Sequence, residues 1–157
     1  MTTRAIMRAV GACIGAMICS QQSVSATRTA AEYSSMPAVG GQQLPFSEAV
    51  KVGSTLYLAG QIGNLPGTPT LAPGGIVPEA RRAMDNIKAV IERHGGTMSS
   101  IVKCTVFLTD IRDWPAFNEV YRGYFTDHYP ARSALAASGL AFGARVEVDC
   151  IAALPDS

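Results

Sequence analysis

Two helical stripes, set in a chain otherwise patterned for strands, place the tightest limit on what this sequence can fold into. Ala80, Met84, Ile87 and Ile91 recur at i, i+4, i+7 and i+11, which makes one apolar face of a helix over residues 79–94. Pro78 near the start and Gly95-Gly96 at the end bound it. A shorter stripe of Phe117, Val120, Tyr121 and Tyr124 follows Asp113 and Pro115, which open a second helix. The remaining apolar runs read as strands. Residues 46–52 and 55–59 pair across the Gly53-Ser54 turn. Residues 101–108 suit a buried strand, and residues 132–136 and 145–153 supply two more. The order strand, strand, helix, strand, helix, strand, strand puts both helices on one face of a single sheet. The opposite face is then expected to be apolar, uncovered and in need of a partner.

Residues 63–75 hold three Pro and four Gly, which excludes regular structure and predicts a loop over one edge of the site. Residues 27–43 lack periodicity and read as a linker. His94 falls in the last helical turn, where a cation favours the helix dipole. The 157 residues suffice for one domain. With 48% hydrophobic and 16% charged residues the chain reads as globular.

The first 26 residues form a different kind of sequence. Arg4 and Arg8 precede an apolar run from Ala9 to Cys19, and a polar stretch then ends in Val24-Ser25-Ala26. A positive start, a short apolar core and a small-x-small end make a secretory signal peptide. The run is well short of the ~20 residues a spanning helix needs. Cleavage there predicts a periplasmic or secreted protein. Removal of two Arg and no acid leaves 11 basic against 12 acidic residues, a net charge of −1. That balance carries no electrostatic footprint for nucleic acid. No Cys-x-x-Cys or clustered His points to a metal, and no cofactor is expected. Cys104 and Cys150 remain, both in strands. They read as two small buried thiols, with a disulfide as the alternative that export permits.

The stretch from Pro130 to Val148 carries the chemistry. It runs Pro130-Ala131-Arg132-Ser133-Ala134-Leu135, then Ser138, Leu140 and Val146-Glu147-Val148. This pattern, an Arg after Pro-Ala and a Glu between aliphatics fifteen residues on, resembles the signature of the Rid (RidA/YjgF-type) proteins. Residues 58–62, 83–87, 101–108 and 117–121 are similar to further segments of that family. The likeness extends over residues 44–154, the expected Rid-like domain. It implies an α+β fold: a single-domain mixed sheet with two helices on one face, chorismate-mutase-like, assembled as a homotrimer with a site in each cleft between subunits. It also makes the strands that carry Cys104 and Cys150 neighbours. The implied activity is hydrolysis of 2-enamino and 2-imino acids to 2-oxo acids and ammonia.

Read by its chemistry, Arg132 presents a planar fork that matches a carboxylate with two parallel hydrogen bonds. Its other available role is an ion pair with Glu147 or Asp149. Glu147 projects from the strand face opposite Val146 and Val148, where it could orient a water and move a proton. By resemblance Arg132 and Glu147 are the catalytic pair, and Asn118, Gly60 and Phe46 complete the substrate site. Asn118 could otherwise be a helix-surface amide, and Gly60 could serve turn geometry alone. The chain departs from the family pattern at Phe46, Ala59 and Ala134, where Tyr, Ser and Cys are common, and at Val148, where Ile or Met is more usual. The lost polar groups predict a more apolar cleft. They also keep open a non-catalytic trimer that binds small carboxylates, or a different hydrolytic chemistry on the same scaffold. Ribonuclease activity, attributed to some relatives, is disfavoured by the neutral charge, the signal segment and the absence of a His pair.

Overall fold

A computed structural model describes residues 29–155, so the expected signal segment lies outside the described residues. The elements in chain order are β1 (Ala31–Ser35), β2 (Ser47–Val52), β3 (Thr55–Leu58), β4 (Gln61–Ile62), α1 (Ile76–Arg93), β5 (Ile101–Leu108), α2 (Trp114–Arg122), β6 (Ala131–Ala136) and β7 (Val146–Ala153). One sheet runs β1-β2-β3-β7-β5-β6, and β4 also pairs with β7. Every pairing is antiparallel except β5 with β6, which α2 joins as a parallel crossover. The mixed α+β sheet with two helices is as expected.

The helical stripe of α1 is fully buried: Ala80, Met84, Ile87 and Ile91 have no exposed surface, and Ala83 and Val90 join them. The helix starts at Ile76, three residues earlier than expected. Pro78 therefore lies inside its first turn, where a missing N–H costs nothing because that N–H has no intrahelical partner. α2 ends at Arg122, so Tyr124 lies past the helix. Its hydroxyl reaches back to Asp85 Oδ1 at 2.7 Å. Asp113 does not cap α2 with its side chain; its carboxylate accepts from the Arg145 guanidinium at 2.9 Å. His94 Nδ1 lies 2.8 Å from the Val90 carbonyl, and its Nε2 lies 2.8 Å from Ser34 Oγ, tying β1 to the end of α1.

Alternation along the central strands fixes which side chains face the helices. On β7, Val146, Val148, Cys150 and Ala152 are buried, and Glu147, Asp149 and Ile151 point away. On β5, Cys104, Val106 and Leu108 face the same core. The register slips between Ile101 and Lys103, and this bulge turns Val102 outward while returning Ile101 to the core. A similar slip between Ser34 and Ser35 lies opposite Ser47–Ala49. Beside it the Glu48 carboxylate is buried and pairs with Arg93 of α1.

Three expectations need correction. The segment read as a linker contains β1, which hydrogen-bonds along β2 and extends the sheet. The uncovered face is mixed, not apolar: Lys103, Thr105, Ser133, Glu147 and Asp149 stand among Phe107, Leu135, Tyr57 and Ile151. Strand parity alone decides this, since the apolar residues of β5 and β7 are largely spent on the core. Cys104 and Cys150 are bonded to each other instead of standing as free thiols. They sit directly opposite in the β5–β7 register, which brings the two sulfurs within bonding reach.

Candidate active site

Arg132 occupies β6, an edge strand, at the position opposite Cys104. That register turns it toward the helices, under α2. The guanidinium lies 4.6 Å from the Tyr121 ring centroid, 5.1 Å from that of Trp114 and 5.9 Å from that of Phe117. Its Nη2 donates to Asn118 Oδ1 at 2.7 Å. Three aromatic faces and one amide thus fix the plane of the fork. Arg132 forms no ion pair with Glu147 or Asp149, so its charge remains available to a ligand. An open pocket of about 320 Å³ lies beside it, lined by Asn118, Tyr121, Arg122, Tyr129, Pro130 and Arg132. The Tyr121 hydroxyl is buried, with no hydrogen-bond partner among the described residues. Burial pushes its pKa up to about 12, against a smaller downward pull from Arg132.

Glu147 lies elsewhere. It sits on β7 opposite Phe107 of β5 and Ile62 of β4, on the face away from the helices. Among the described residues no side chain or backbone group hydrogen-bonds its carboxylate. Burial raises its pKa above the ordinary carboxylate value, and the neighbouring Asp149 charge raises it further. Gly60 makes room for it: a Cβ there would overlap Glu147 Oε1 and lie 2.9 Å from Cδ. Gly60 does not have a positive φ, so clearance for the carboxylate, not turn geometry, is what requires a glycine here.

The residues expected at the site therefore fall into two groups within one chain. Asn118 joins Arg132, and Gly60 joins Glu147, on opposite faces of the sheet. Phe46 is half-exposed just ahead of β2 and does not line the Arg132 pocket. Ala134 packs on the Arg132 side, against the core. The loop 63–75 borders a different cavity, of about 290 Å³, beside α1; none of its residues lines the Arg132 pocket. Sequence reasoning missed Trp114, Tyr121 and Tyr129. Trp114 is the single tryptophan of the chain, and Tyr121 looked like one more residue of a core stripe.

The profile described as "Endoribonuclease L-PSP" matches residues 37–154. A goat (Capra hircus) protein, "2-iminobutanoate/2-iminopropanoate deaminase", is 44% identical over 108 residues, 69% of this chain and 79% of that one. The chain belongs to the Rid family, formerly called endoribonuclease L-PSP. Solved Rid structures superpose on most of it. RidA from an Antarctic Psychrobacter species is 35% identical with a TM-score of 0.71, covering 78% of this chain and 99% of that one. Escherichia coli TdcF with bound serine is 31% identical with a TM-score of 0.71, covering 79% and 99%.

Proposed function

We propose that this Rid protein hydrolyses reactive 2-imino and 2-enamino acids to 2-oxo acids and ammonia, in clefts built between copies of itself in a homotrimer. The observation that carries this reading is the division of the site. Arg132 is a held, uncompensated cation with a pocket beside it and no base nearby. Glu147 is a carboxylate with no hydrogen-bond or ion-pair partner among the described residues. Each supplies what the other lacks, and two copies can bring them to one cleft. The name of the goat relative supports the reaction, and the serine bound to TdcF supports a site for a small amino acid.

In this mechanism the substrate carboxylate lies on the Arg132 fork, which Asn118 and the aromatic faces keep from turning. Glu147 of a neighbouring copy takes a proton from water as the oxygen bonds to the imine carbon. The proton passes to nitrogen, giving a carbinolamine. The hydroxyl proton then passes to the amino nitrogen as the C–N bond breaks, so ammonia leaves and the carbonyl forms. One 2-imino acid and one water become one 2-oxo acid and one ammonia. An enamine first gains a proton at carbon and gives one up from nitrogen, which makes it the imine. A carboxyl with a raised pKa suits this shuttle, because it gives and takes protons closer to neutrality.

The site of action is proposed to be periplasmic or extracellular. The bonded Cys104–Cys150 pair supports it, since disulfides persist in oxidising compartments, as does the pattern of residues 1–26. Non-catalytic carboxylate binding is the second reading, favoured by the missing polar groups at Phe46, Ala59 and Ala134. Ammonia release from freshly generated 2-imino acids decides between them. Acceleration by the purified protein that disappears in Arg132→Ala supports the deaminase. Carboxylate binding without acceleration leaves the binder.

A further inference from the structure

The Arg132 pocket holds a second guanidinium that the proposed reaction does not use. Arg122 is the last residue of α2, four positions after Asn118, so both side chains lie on one helix face, one turn apart. Both line the pocket with Arg132, and no acidic side chain lines it. Asn118 already accepts from Arg132 through Oδ1, so Arg132, Asn118 and Arg122 form a short row along the cavity. Arg122 pairs with Glu119 at 3.1 Å, but that pair is exposed, its side chains 60% and 71% accessible. Such a pair is weak and easily exchanged for a better-held anion. Tyr121, Tyr129 and Pro130 supply walls for a short methylene chain between the two cations.

We infer that this pocket selects 2-imino acids carrying a second carboxylate on the side chain. The 2-carboxylate takes Arg132 and the distal carboxylate takes Arg122. Asn118 and Arg122 stand one helical turn apart, ~5–6 Å between their Cβ atoms, and Arg132 is bonded to the first of them. A volume of about 320 Å³ is small for a ligand site, which favours acids of four or five carbons. This inference rests on Arg132 being the carboxylate anchor of the proposed function.

The test uses the full chain and two imino acids generated in place by an amino-acid oxidase: 2-iminoglutarate, and 2-iminohexanoate as a neutral chain of similar length. The expected kcat/KM ratio favours the dicarboxylate by about tenfold or more, the size of one charge-assisted contact. Arg122→Gln brings the ratio near one, Arg122→Glu inverts it, and Arg122→Lys restores part of it. Turnover of both substrates with no preference, or with a preference that Arg122→Gln leaves intact, overturns the inference. If neither imino acid is turned over, calorimetric titration with 2-oxoglutarate and 2-oxohexanoate separates the two ideas. Arg122-dependent preference for the dicarboxylate then upholds the pocket while the deaminase reading falls. Equal or absent binding overturns the pocket as well.

Discussion

Arg132 and Glu147 are prepared in opposite ways. Arg132 is over-determined: three rings and an amide hold the guanidinium before any ligand arrives. Glu147 is under-determined, with a glycine cleared away beneath it, no hydrogen-bond partner among the described residues and a raised pKa. Binding an anion benefits from a rigid fork, because little side-chain freedom is left to lose. Moving a proton benefits from a carboxyl whose pKa is shifted toward the working pH. The two preparations match the two tasks of the proposed reaction, and within one chain the sheet keeps them apart.

The most severe way to break this comparison is to disable one half in each of two populations. Arg132→Ala and Glu147→Gln should each lose roughly 10²–10⁴-fold in kcat/KM, the range for a positioned acid–base or anchoring group. Reassembling the two variants together should return a measurable fraction of wild-type rate, because some clefts then pair an intact Arg132 with an intact Glu147. No recovery from mixed, intact trimers would mean that each site is built within one chain.

The next test acts on the strands between the halves. Cys104 and Cys150 join β5, the neighbour of β6, to β7, across a sequence separation of 46. Replacing both by Ala should cost about 4 kcal/mol on the loop-closure account. Denaturant unfolding would measure it, with a separate m-value fitted for each protein because the opened unfolded chain exposes more surface. A loss under about 1 kcal/mol would show that the packing of β5 against β7 suffices without the bond.

Gly60→Ala probes the Glu147 half alone. The added Cβ overlaps Oε1, so the carboxylate must move, and turnover should fall by about 10²-fold, the cost of a small misplacement. Binding of a 2-oxo acid at Arg132 should stay nearly unchanged. Equal losses in both would show a general disturbance.

Protonation sharpens the contrast further. Glu147 has a folded-state pKa above its unfolded value, chiefly through burial and then through Asp149. The folded state therefore holds this proton more tightly, and ionising it costs stability. That cost is absent below the unfolded pKa, grows as pH rises through the window between the two values, and is complete above the folded pKa. Glu147→Gln should accordingly raise the melting temperature at neutral pH and lose that advantage below the ordinary carboxylate range. If Glu147 acts ionised, the acid limb of kcat/KM should move to lower pH in Asp149→Asn. A fixed limb would detach the rate from this carboxyl. The smallest effect belongs to the Arg132 half. Tyr121→Phe removes a buried hydroxyl without a partner and should stabilise the fold by about 1 kcal/mol. A destabilisation would reveal a partner for that hydroxyl.

The local patterns were readable from the sequence, and the relations between strands were not. The stripe of α1 is buried as its spacing requires, and Pro115 with Asp113 marked α2 closely. Ala31–Ser35 escaped notice because an edge strand needs little apolar alternation, and Tyr33 is its only large apolar residue. β4 is two residues long, too short for any period. The bulge at Val102 left no mark, because Ile101 and Val102 are both apolar and either could have faced the core. The sides of the sheet taken by Arg132 and Glu147 depend on parallel pairing of β6 and antiparallel pairing of β7, both with β5. Register of that kind is a property of partners, so no single strand encodes it. For the same reason the Cys104–Cys150 disulfide stood only as the second of two readings.

β7 is the last strand in chain order and also a central one, bonded to β3, β4 and β5. The β1–β2–β3 meander and the β5–α2–β6 unit touch the same sheet only through it. As the chain is synthesised, these two blocks have no common partner until Val146–Ala153 emerges. Closure is thus a late, long-range event, which slows folding and leaves the half-sheets with open edges meanwhile. A chain halted before Val146 lacks the strand that joins its two blocks, so neither can complete the sheet.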